Sequence, residues 1–236
     1  MRTKAKALLA GVAALMALPG EPAVAHPFSF DTTKMIGFSV LTAEDGAMTA
    51  KDMVVIRYDG PIAFPMAANL REIWDEIAQT PRFKTVLLRL NSPGGTQPEG
   101  EEVMRILDQI RDHADLITLV AEHDLCASMC VPIFIQGETR IASPASAWMF
   151  HGAARFMSNI PSLSATMHYV DYFKDRGVGV SFLDALVAGD RITTPGEYWL
   201  SGNELAAQSN IITKLSPNWK PLAPDPGPVP GFLTGI

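Results

Sequence analysis

Three short stretches of the chain hold residue types that together could carry out acyl transfer. Ser128 sits in Asp124-Leu125-Cys126-Ala127-Ser128-Met129-Cys130, His151 follows Trp148-Met149-Phe150, and Gly94-Gly95 closes Asn91-Ser92-Pro93-Gly94-Gly95. A serine hydroxyl is a weak nucleophile until a base takes its proton, and an imidazole within reach is a suitable base. The same reaction needs N–H donors aimed at the oxygen that becomes negative as the carbonyl is attacked. Gly95, with no side chain, lets a substrate carbonyl approach its amide, and the Met129 amide lies at the start of a predicted helix, where N–H groups point outward. Ser128 is therefore the candidate nucleophile, His151 the candidate base, and Gly95 and Met129 the candidate oxyanion donors. Taken singly, Ser128 reads as a helix N-cap and His151 as a structural histidine at a strand end. All three roles being filled together favours the chemical reading.

Elements that position these residues can be read from periodicity. Met53-Val54-Val55-Ile56-Arg57 is a continuous apolar run stopped by Asp59-Gly60-Pro61, and it fits a strand covered on both faces. Leu70, Ile73, Trp74 and Ile77 recur at helical spacing up to Pro81, Thr85–Leu90 is a second strand, and Val103, Ile106, Leu107 and Ile110 mark a second helix. Leu116–Val120 is a third strand, and residues 26–50 are mixed in character. Strands alternating with helices predict an α/β fold with parallel pairing through right-handed crossovers. A buried helix is expected from close to Ser128 to Ile135, a strand at Trp148–Phe150, and helices over 162–176 and around Phe182–Val187.

The ends and the composition bound the function. Arg2, Lys4 and Lys6, an apolar run from Ala7 to Leu18, and Ala23-Val24-Ala25 have the form of a cleaved export signal. The expected organisation is a signal peptide over 1–25, one domain over 26–215, and a Pro/Gly-rich tail over 216–236, with the mature protein periplasmic or secreted. The formal net charge is −6, and an acidic chain without a basic cluster is a poor nucleic-acid binder. Cys126 and Cys130 are four apart, which on a helix places their Cα atoms about 6 Å apart and makes a bond strained. Export to an oxidising compartment favours pairing, so a disulfide, two buried thiols and a redox-sensitive pair all stand open. His113, His123 and His168 are scattered without ligand partners, and no metal site or cofactor is expected.

Asn91-Ser92-Pro93-Gly94-Gly95, Ala127-Ser128-Met129 and Met149-Phe150-His151 resemble, in order and approximate spacing, the motifs of the Clp protease proteolytic subunit. The resemblance spans roughly residues 52–213 and includes Leu200-Ser201-Gly202-Asn203-Glu204-Leu205. It implies a crotonase/Clp-peptidase-like ββα superhelix with a mainly parallel sheet, Ser128 as nucleophile, His151 as base, and Gly95 with Met129 as oxyanion donors. Glu197 takes the position of the family's catalytic aspartate, with Asp190 as the alternative third member. The resemblance implies a homo-oligomer acting on peptide or protein substrates. The cysteines flanking Ser128 and the export signal depart from the cytosolic pattern, so no ATPase partner is expected, and the chain looks closer to exported Clp-like proteins with a Cys-x-Ser-x-Cys segment.

Other chemistries fit less well. A Ser-Lys mechanism lacks a nearby base because no lysine lies between Lys84 and Lys174. Acyl-CoA chemistry, which the crotonase-like fold also hosts, would need a cytosolic cofactor. A catalytically inactive Clp-like binding protein is the alternative to a serine peptidase.

Overall fold

A computed structural model describes residues 35–42, 51–154 and 160–216; the expected signal peptide over 1–25 and the tail beyond Ser216 lie outside these residues. In chain order the elements are β1 (Phe38–Thr42), β2 (Met53–Asp59), α1 (Met66–Ala78), β3 (Thr85–Asn91), α2 (Gln97–Arg111), β4 (Asp115–Val120) and β5 (Leu125–Ala127). Then come α3 (Cys130–Phe134), β6 (Thr139–Ala142), β7 (Ala147–Phe150), α4 (Leu163–Asp175), α5 (Val180–Ala188), β8 (Tyr198–Ser201), α6 (Gly202–Gln208) and β9 (Lys214–Leu215).

The apolar runs of β2, β3 and β4 form the middle of a six-stranded sheet in the order β1-β2-β3-β4-β6-β9, parallel throughout except for β1. Val54 through Tyr58 are all buried, as expected for a strand covered on both faces. The predicted stripes of α1 and α2 are the faces that pack on the sheet, with Leu70, Ile73 and Trp74 buried on one and Val103, Ile106 and Leu107 on the other. The fold is thus mixed α/β with a mainly parallel central sheet, the class read from the sequence.

A second sheet, in the order β5-β7-β8, carries the candidate site. β5 and β7 run parallel, and β7 pairs antiparallel with β8. The two sheets join where Ser92, just past β3, pairs in parallel with Cys126: the Ser92 amide donates to the Leu125 carbonyl at 2.7 Å, and the Ala127 amide donates to the Ser92 carbonyl at 3.0 Å. The end of β3 is thereby held against the strand that leads to Ser128.

Several elements depart from the sequence reading. Residues 38–42 form an antiparallel edge strand in which Phe38, Val40 and Thr42 face inward, a period-2 pattern within a segment read as mixed. β5 is three residues long, too short for a run of apolar side chains to mark it. The helix expected near Ser128 begins at Cys130, because Ser128 itself has φ +52° and a left-handed residue cannot sit inside a right-handed helix.

The turn before β5 is fixed by a buried ion pair. Arg89 on β3 grips Asp124 with two hydrogen bonds, Nε to Oδ2 at 2.7 Å and a terminal nitrogen to Oδ1 at 2.8 Å, and the Ala121 amide also donates to Oδ2. The side chains are only 8% and 6% exposed. Removing one member of such a pair leaves a charge in the interior, at a cost of about 3–5 kcal/mol. Asp124→Ala should lower the urea midpoint by a corresponding amount and loosen the approach to Ser128; an unchanged midpoint would show that the pair contributes nothing to stability.

Candidate active site

Strand register brings the serine and the histidine together. β5 and β7 run parallel with Ala127 opposite Met149, and the Ser128 amide donates to the Met149 carbonyl at 2.9 Å. One residue beyond β5 the chain turns sharply at Ser128; one residue beyond β7 stands His151. His151 Nε2 lies 2.6 Å from Ser128 Oγ. The serine is half-buried and the histidine exposed. A left-handed serine between a strand and a helix lifts its hydroxyl clear of both elements, and such strained non-glycine residues gather at functional sites.

The other ring nitrogen determines the tautomer. His151 Nδ1 is 2.8 Å from the Gly152 carbonyl oxygen, which can only accept, so Nδ1 carries the proton and Nε2 of the neutral ring presents its lone pair to the Ser128 hydroxyl. The segment after the histidine is tied down in turn, since the Ala153 amide donates to Thr166 Oγ1 at 3.0 Å and the Ser162 amide donates to the Ala153 carbonyl at 2.8 Å.

Gly94 and Gly95 come up against this turn from β3. Gly94 has φ +91°, and a Cβ there would sit 2.6 Å from both the Ala127 carbonyl oxygen and the Ser128 Cβ. Its amide donates to Ser92 Oγ at 3.1 Å, while its carbonyl accepts from the Ile62 amide at 2.8 Å. The Gly95 and Met129 amides have no hydrogen-bond partner among the described residues. Both residues, with Ser128 and His151, line one pocket of about 560 Å³. Two unused donors beside a hydroxyl that is hydrogen-bonded to a neutral imidazole form an arrangement suited to attack on a carbonyl.

No protein-family model matches the chain, and no curated protein matches it. Among solved structures it is similar to a ClpP1 mutant from Listeria monocytogenes, at 18% identity over 70% of this chain and 91% of that chain, with a TM-score of 0.47.

The carboxylates expected to complete a triad are not brought to the imidazole. Glu197 Oε2 accepts from Trp199 Nε1 at 2.9 Å, and Asp190 Oδ1 accepts from Thr193 Oγ1 at 2.9 Å. Both acids are exposed, and the position opposite Nδ1 is filled by Gly152. Sequence offers no mark for this, since any residue supplies a backbone carbonyl. Also missed was the wall of the pocket beyond Met129, where α2 and α4 place Glu101 and Tyr169; the 162–176 segment was read only as a helix.

Cys126 and Cys130 form a disulfide with Cα atoms 5.2 Å apart. The helical spacing weighed for them does not apply, because Cys126 lies on β5 and Cys130 opens α3, so the bond spans a strand-turn-helix corner. Both residues are fully buried. The bond closes a loop whose centre is Ser128, and closing so short a loop is worth about 2 kcal/mol in the chain-entropy account. Replacing both cysteines by alanine should lower the unfolding free energy by that amount and also slow any reaction at Ser128. A double variant with full stability and full rate would show the clamp to be dispensable.

Proposed function

We propose that this chain is an exported, ATP-independent, Clp-peptidase-like serine hydrolase that cleaves peptide or protein substrates through an acyl-enzyme at Ser128. The observation that carries the reading is the 2.6 Å contact between His151 Nε2 and Ser128 Oγ, with Nδ1 held by a carbonyl. As Ser128 Oγ bonds to the substrate carbonyl carbon, its proton passes to Nε2 and the carbonyl oxygen takes the negative charge between the Gly95 and Met129 amides. Collapse breaks the carbon–nitrogen bond, and the proton on Nε2 goes to the departing amine. Water then attacks the serine ester, gives its proton to Nε2, and Ser128 Oγ leaves with that proton. The Gly152 carbonyl takes the orienting role, keeping the tautomer while offering the imidazolium a dipole in place of a full negative charge.

Apolar walls formed by Pro132, Met149, Val170, Phe173 and Leu186 support a site that receives a substrate side chain. Export rests on the basic and apolar character of residues 1–18 and on Ala23-Val24-Ala25, with a mature chain from His26, a domain to residue 215 and a Pro/Gly-rich tail over 216–236. The protein acts as a homo-oligomer, without a nucleotide-driven partner, nucleic acid, metal or other cofactor. Incubating the mature protein with a peptide mixture in the absence of nucleotide should yield cleavage products that are lost in Ser128→Ala. Intact peptides, with a peptide still retained on the protein, would favour the inactive binding protein instead.

A further inference from the structure

The pocket beside Ser128 is apolar on most sides, yet one of its walls carries a carboxylate. Glu101, in the second turn of α2, lines it together with Gln97, Met129 and Tyr169. One oxygen of Glu101 is engaged: Oε1 accepts from Gln97 Nε2 at 2.8 Å and from the Tyr169 hydroxyl at 3.4 Å. Oε2 has no partner among the described residues, and no lysine, arginine or histidine among them pairs with this carboxylate. The Tyr169 hydroxyl is also 3.5 Å from Met129 Sδ, so the acid stands one hydroxyl beyond the side chain of a candidate oxyanion residue. Burial above all, and then the Glu101 charge, push the Tyr169 phenol well above its ordinary value. It therefore stays a donor toward Glu101 Oε1. The lining also includes hydrocarbon from Pro132, Val170 and Phe173.

An unpaired anion at one wall of an apolar pocket is complementary to a long aliphatic stem that ends in a cation. We infer that Glu101 is a specificity-determining residue, and that the residue whose carbonyl Ser128 attacks is preferentially lysine or arginine, its stem on Pro132 and Phe173 and its charge on Glu101 Oε2. The inference rests on the serine-hydrolase reading for the position of the scissile carbonyl, and it adds a substrate class to that reading.

Peptidyl diphenyl phosphonates carrying a lysine-like or a leucine-like side chain test it on the mature protein, with Ser128→Ala as the blank. The wild type should be inactivated faster by the lysine-like probe. In Glu101→Gln the lysine-to-leucine rate ratio should fall by roughly 10- to 100-fold, the scale of losing one partner of a desolvated charge pair. Glu101→Asp should keep part of the ratio, which a mere loosening of α2 would not produce. A wild-type preference for the leucine-like probe, or a ratio that survives Glu101→Gln, overturns the inference and leaves the hydrolase intact. If neither probe labels the wild type, the hydrolase reading is what fails, and titration calorimetry with a lysine-ending peptide amide decides the subsite. Binding about tenfold weaker in Glu101→Gln upholds it, and equal affinities overturn it.

Discussion

Replacing His151 by alanine should lower peptide hydrolysis by on the order of 10⁴-fold or more, because the serine then loses the base that is hydrogen-bonded to it and members of such a unit fail together. The geometry makes a second, sharper demand. His151 Nδ1 is bonded to the Gly152 carbonyl, whereas Glu197 is turned to Trp199 and Asp190 to Thr193. Glu197→Ala and Asp190→Ala should therefore each stay within about twofold of the wild-type rate, the range of an exposed substitution away from the chemistry. Steady-state rates of the three variants on one fluorogenic peptide separate the possibilities. A loss in Glu197→Ala approaching that in His151→Ala would restore a carboxylate triad and would mean that the acid swings to the ring during turnover.

Gly95→Ala should have the next largest effect, for a steric reason. A Cβ at this position would stand 2.0 Å from the Ile62 carbonyl oxygen and 2.6 Å from the Ile62 carbonyl carbon. Those are backbone atoms, held by the bridge in which the Ile62 amide donates to Gly94 and the Thr96 amide donates to Ile62. Residue 95 must move, and its amide moves with it away from the developing oxyanion. Losing one such donor costs roughly 10²- to 10³-fold in kcat, so the expected signature is a fall in kcat that exceeds any rise in KM. Gly179→Ala is the control, since an added Cβ there makes only an ordinary contact, 3.6 Å from Asn210 Oδ1. Equal rates for the Gly95 variant and the wild type would remove the Gly95 amide from the mechanism.

How much of this was legible in the sequence depends on whether a feature resides in side-chain pattern or in backbone geometry. The central strands and the α1 and α2 crossovers were legible because burial on a sheet imposes a period that Leu70, Ile73 and Trp74, or Val103, Ile106 and Leu107, must follow. Ser128 and His151 were legible as a pair because, together with Gly94-Gly95, they fill all three roles that attack on a carbonyl needs. β5 was not, since three residues joined to Ser92 by backbone hydrogen bonds carry no periodicity. The left-handed φ of Ser128 moved the start of α3 by two residues, and with it the setting of both cysteines, from one helix face to a strand-turn-helix corner. The partner of His151 Nδ1 was out of reach altogether: a search for a third side chain looks past a carbonyl on the next residue.

Labelling with a fluorophosphonate tests the central claim most directly, because the reagent forms a covalent bond only with a serine whose proton is removed and whose oxyanion is stabilised. Mature wild-type protein should be labelled at one site, with mass spectrometry placing the adduct on Ser128, and Ser128→Ala and His151→Ala should both be unreactive. Failure of folded wild-type protein to label, or an adduct that persists in Ser128→Ala, would contradict the account and leave a pocket that binds without cutting.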